Sequence, residues 1–68
     1  MRELAWMDAS RSDLKQMTDD EIRRIYNDMC FDLGCEYTMD SHGNMVVPTR
    51  KQRQLIGKYF RGRGLDNG

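Results

Sequence analysis

The sequence predicts a small α+β fold, and three observations carry that prediction. Residues 18–34 repeat apolar side chains at helical spacing behind a capping signature. Residues 36–47 alternate in polarity across a Ser-His-Gly loop. Residues 49–65 form a second amphipathic stretch that holds every basic residue of the last 28. With 68 residues the chain reads as a single domain, 1–68. A chain of this length buries only about 60% of the surface its unfolded form exposes. It lacks the length for a deep cleft with its own floor and lid.

The opening nine residues, MRELAWMDA, predict a short helix or an arm. Trp6 is the single Trp of the chain. Its large apolar surface favours docking on the core, with a partner for the indole N–H. The other reading is an exposed anchor for a partner protein, because Trp is enriched at interface hot spots. Ser10 is placed to cap a short helical turn, RSDLKQ, with Asp13 reaching back to it. Ala9 and Leu14 stand in the positions of a hydrophobic staple, and the turn is expected to end near Met17.

Thr18 begins the clearest helix. Glu21 lies three residues on and completes a capping box, while Met17 and Ile22 occupy the staple positions. Asp19, Asp20 and Glu21 crowd the first turn, where the helix dipole favours negative charge. Ile22, Ile25, Tyr26, Met29, Cys30 and Leu33 recur at i, i+3, i+4, i+7, i+8 and i+11, the pattern of one buried face. Gly34 is expected to end the helix in the left-handed conformation. Phe31 breaks the pattern, since at ~100° per residue it falls about 180° from the centre of the stripe. It is therefore a contact candidate.

EYTMD and NMVV predict the two strands of an antiparallel hairpin closed by Ser41, His42 and Gly43, with Gly43 in the left-handed position. The register pairs Met39 with Met45, Thr38 with Val46 and Tyr37 with Val47. Tyr37, Met39, Met45 and Val47 then share one face, which is expected to be the buried one. An isolated two-stranded hairpin is marginal. The two main helices are accordingly expected to cover that face, or a second hairpin to pair with it in a homodimer.

Pro48 ends the second strand, and Thr49 opens the basic helix with Gln52 completing another capping box. Leu55, Ile56, Tyr59 and Phe60 form an apolar stripe about 140° wide, and the basic residues fan over the remaining arc. Gly57 falls on the polar side, and Gly62 and Gly64 end the helix. The last residues, 62–68, are expected to be a mobile tail.

The zero net charge conceals strong segregation. Residues 1–40 carry ten acids and five bases, a balance of −5; residues 41–68 carry six bases and one acid, a balance of +5. Such asymmetry points to a charged protein partner or to nucleic acid, unless the halves attract one another. Six Met in so short a chain fit either a loosely packed core or an adaptable contact surface.

No catalytic constellation accompanies these features. His42 sits in a turn beside polar residues that are ordinary turn material. Cys30 and Cys35 lack the second ligand pair of a structural zinc site, and Cys30 is expected to be buried on the apolar stripe. The chain is thus read as non-enzymatic, with no cofactor and no metal. The opening has charges at Arg2 and Glu3 and no apolar core of a leader. No apolar run approaches the ~20 residues of a membrane span. Free thiols and a cytoplasmic location are the corresponding expectations.

The leading functional expectation is a small protein-binding accessory or inhibitor protein, of the kind a phage or mobile element encodes. It would occupy a partner's surface through charge and a few aromatic anchors. Its candidate contact residues are Arg50, Lys51, Arg53, Lys58, Arg61 and Arg63, with Trp6 and Phe31. One alternative is direct nucleic-acid binding by the basic helix, whose cations would give a salt-dependent grip on phosphates. The other is an acidic face of Asp28, Asp32 and Glu36 that imitates nucleic-acid phosphates toward a basic partner.

Overall fold

The computed structural model describes residues 4–67, without the side chain of Asn67. The first three residues of the expected arm, and Gly68 at the end of the expected tail, lie outside the described residues. In chain order there follow a 3-10 turn at Trp6–Asp8, helix α1 (Arg11–Gln16), helix α2 (Asp19–Asp32), strands β1 (Thr38–Met39) and β2 (Met45–Val46), a 3-10 turn at Arg50–Gln52, helix α3 (Arg53–Gly62) and a 3-10 turn at Leu65–Asn67. This is a small α+β fold of three helices and one antiparallel hairpin.

Both predicted capping boxes at the start of α1 and α2 form. The Ser10 hydroxyl accepts from the Asp13 N–H at 3.2 Å, and the Ser10 N–H donates back to Asp13 Oδ2 at 2.9 Å. Thr18 and Glu21 repeat the exchange at 3.3 and 3.0 Å. The donated hydrogen bonds, first the backbone N–H and then the hydroxyl, hold the Asp13 and Glu21 carboxyls below their ordinary values of 3.8 and 4.5. A carboxyl whose folded-state pKa is depressed stabilises the fold above its unfolded pKa and loses that contribution as pH falls through the folded value. Stability is therefore expected to decline below about pH 4.5. In acid titrations followed by circular dichroism, Asp13→Asn with Glu21→Gln should be less stable near neutrality and show a flatter acid limb.

The core lies where the Trp6–Asp8 turn, α1, α2 and α3 meet. Trp6, Ala9, Leu14, Ile22, Ile25, Met29, Ile56 and Leu65 are buried, and the rings of Tyr26 and Phe60 stack across the helix pair at 3.9 Å. The apolar stripes of α2 and α3 thus cover each other, and α2 packs chiefly against α3. The tail expectation is corrected: Gly64 turns the chain at φ 71° and returns Leu65 to the core. Gly34 is not left-handed, and Gly57 lies on the polar side of α3 as expected but is buried there beneath the Arg61 guanidinium. Cys30 is exposed, since it falls at the rim of the stripe, where an open cleft separates α2 from Arg50 and Arg53.

The third capping box does not form. Thr49 makes no side-chain cap bond, and the first turn after it is 3-10. Gln52 instead turns its amide away, donating to the carbonyls of Ala9 at 2.5 Å, Met7 at 3.3 Å and Trp6 at 3.4 Å. The Trp6 carbonyl also accepts from the Ala9 N–H at 3.4 Å, so Gln52 reinforces the close of the short N-terminal turn.

Candidate docking face on the hairpin and alpha2

The hairpin has the predicted register, Thr38 opposite Val46 and Met39 opposite Met45, with Gly43 at φ 83°. Asp40 fixes the loop by accepting the His42 and Asn44 N–H groups on Oδ1, each at 2.9 Å. What differs is which face turns inward. Thr38 and Val46 point toward the body and are half-buried; Tyr37, Met39, Met45 and Val47 face solvent. The helices do not cover the hairpin, because their stripes are already satisfied by each other.

Polar contacts hold the hairpin in place. Asp32 Oδ2 accepts from the Thr38 hydroxyl at 2.6 Å and from the Trp6 indole N–H at 2.7 Å. The Ser41 N–H donates to Asp8 at 2.8 Å, and the Ser41 hydroxyl accepts from the Ala5 N–H at 2.9 Å. These bonds tie one end of α2, the N-terminal turn and the loop together, and they fix the outward face without burying it.

Phe31 joins that face from α2. It is 75% exposed, and the four outward hairpin residues are 57% or more exposed. Phe31 and Met39 line one open cleft of about 310 Å³, with Trp6 and Asp32 at its inner side. The sequence pattern assigns Tyr37, Met39, Met45 and Val47 to the core and so leaves them out of the contact candidates; the structure turns them outward. The signal that would have found them is the shortness of the hairpin beside two helices able to satisfy each other.

Two of the predicted contact residues are reassigned. Trp6 is 3% exposed, so it is a core residue and not an anchor for a partner. Arg63 is half-buried and committed within the fold: its guanidinium donates to the carbonyls of Met17 at 2.6 Å and Leu14 at 3.1 Å, and pairs with Asp19 at 3.1 Å. The other basic candidates, Arg50, Lys51, Arg53, Lys58 and Arg61, are exposed on α3 and the turn before it. None of the five has an ion pair among the described residues. The acidic half therefore does not neutralise them. Of the acidic candidates, Asp32 is turned inward as described, Asp28 pairs with Arg24 at 3.9 Å, and Glu36 is exposed directly before Tyr37.

Among the described residues no group of His, Cys, Asp or Glu gathers as metal ligands do, and no helix is long and apolar enough to cross a membrane. Comparison with protein-family models, with curated proteins and with solved structures finds no match for this chain.

Proposed function

We propose that this chain is a non-enzymatic protein-binding module, an accessory or inhibitor protein that acts by occupying a partner's surface. The observation that carries the reading is the outward apolar face of Phe31, Tyr37, Met39, Met45 and Val47, grouped beside a core that is complete without it. Grouped exposed apolar residues mark interaction sites, whereas single ones are ordinary. Aromatic residues and Met are the types enriched at such interfaces. Two exposed free thiols suit a reducing compartment such as the cytoplasm.

The test is capture of a partner by the immobilised chain, with the bound protein identified by mass spectrometry. Phe31→Glu with Met45→Glu alters only exposed positions and should abolish that capture while leaving the fold intact by circular dichroism. Arg50→Glu with Arg61→Glu should retain it. The reverse pattern would move the interface to α3. A second reading is nucleic-acid binding by α3 and the turn before it, favoured by their five exposed cations without an ion pair among the described residues. It requires a gel shift at ~50 mM salt that is largely lost at ~200 mM; no shift at the lower salt would remove it.

A further inference from the structure

We infer that the partner presents a basic segment to the cleft between Phe31 and Met39, with an Arg or Lys side chain seated there and apolar neighbours laid over the hairpin face. This rests on the protein-binding reading and specifies the partner's chemistry. The cleft is lined by Asp28, Asp32 and Asp40 as well as by Phe31 and Met39. Arg24 also lines it and pairs with Asp28. No ion pair reaches Asp32 or Asp40 among the described residues. Asp32 Oδ2 is taken by Trp6 and Thr38 and Asp40 Oδ1 by the loop N–H groups, which leaves the second oxygen of each carboxylate without a bond among the described residues, between two apolar walls.

That combination matches a long cationic side chain. Its aliphatic stem lies against apolar surface while its head stays polar. An aromatic ring face attracts the cation in addition. An exposed ion pair alone is worth little, so the apolar walls are what make the site selective. Glu36 and Asp40 flank Tyr37 and Met39 in sequence and extend the same negative rim along the hairpin.

Charge complementarity also decides against a second copy as the occupant. Face-to-face pairing would set Asp28, Glu36 and Asp40 against themselves. The basic arc of α3 in another copy has the right charge but no apolar residue to spare, because Ile56 is buried and Leu55, Tyr59 and Phe60 pack against the core. It offers nothing to cover Tyr37, Met45 and Val47. Nucleic acid has the wrong charge for this face.

The test uses the full chain and three short synthetic peptides, alternating Arg with Leu, Glu with Leu, and Arg with Gly. Binding is read from Trp6 fluorescence and from backbone amide shifts. The Arg–Leu peptide should bind and shift the amides of Phe31, Met39 and Met45. Phe31→Ala should weaken it about tenfold, and the Glu–Leu and Arg–Gly peptides should bind far more weakly. Equal binding of the Glu–Leu peptide, shifts confined to α3, or no binding of the Arg–Leu peptide would overturn the inference. So would a dimer in sedimentation that Met45→Glu dissolves, which would make a second copy the occupant. Should the cellular capture depend on Phe31 while the Arg–Leu peptide fails, the charge assignment alone is wrong; should the capture also fail, the protein-binding reading falls with it.

Discussion

Replacing Trp6 with Ala is expected to lower stability by about 3–5 kcal/mol, the range for removing a large aromatic residue from a packed core. A domain of this length has a total of roughly 3–10 kcal/mol, so much of the Trp6→Ala population should be unfolded at room temperature. Two losses combine. The indole fills the space between the N-terminal turn and α2, and its N–H donates to Asp32 at 2.7 Å. Trp6→Phe separates them, since it keeps most of the apolar surface and removes the donor. It should cost about 1–3 kcal/mol, the range for leaving a partly buried polar partner short of a bond. Asp32 still keeps the Thr38 hydroxyl, which favours the lower end. Urea unfolding followed by far-ultraviolet circular dichroism measures both variants, with the slope unchanged if only stability moves. A Trp6→Ala variant within about 1 kcal/mol of the wild type would mean that the N-terminal turn is not part of the cooperative core.

The helices were legible in the sequence because their signals are local. Thr18 with Glu21, and Ser10 with Asp13, specify their own helix starts through bonds three residues apart. The spacing of Ile22, Ile25 and Met29 specifies a buried face whatever covers it. The hairpin register was legible for the same reason, since Gly43 and the alternation agree on one pairing. Burial of the hairpin was not legible. Alternation sorts residues onto two faces but does not say which face meets the body. The choice rests on the bonds from Thr38 to Asp32 and from Ser41 to Asp8 and Ala5, which join residues that the sequence does not place together.

That inversion changes what the charge segregation means. On the sequence alone, the basic arc of α3 is the most distinctive exposed feature. With Tyr37, Met39, Met45 and Val47 turned outward, the apolar surface spans both halves, and its charged rim, Asp28, Glu36 and Asp40, comes from the acidic one. Sites where local rules and the observed fold disagree are commonly functional ones. Here the disagreement is confined to one face, and Phe31, which already broke the helical pattern of α2, lies on it.

Arg63→Ala is expected to cost about 1–3 kcal/mol, the range for leaving polar groups at a partly buried site without their partner. The guanidinium reaches across from the end of α3 to Leu14, Lys15 and Met17, whose carbonyls close α1. The last carbonyls of a helix have no partner within it, and a helix of six residues does not hold itself together in water. Arg63 therefore acts as the C-terminal cap of α1, supplied from another helix. Arg63→Lys should recover only part of the loss, because a single ammonium lacks the planar fork that addresses several acceptors at once. Asp19→Asn should cost under about 1 kcal/mol, since the Asp19 side chain is 59% exposed. High salt should reproduce that smaller effect and not the larger one. Native-state hydrogen exchange distinguishes a cap from a general contact: in Arg63→Ala the amides of α1 should lose more protection than those of α2. Equal loss in both helices would mean that Arg63 stabilises the fold as a whole. Preferential loss in α1 would make its docking on α3 the condition for its being helical, and would explain why a basic residue predicted for a partner is held within the fold.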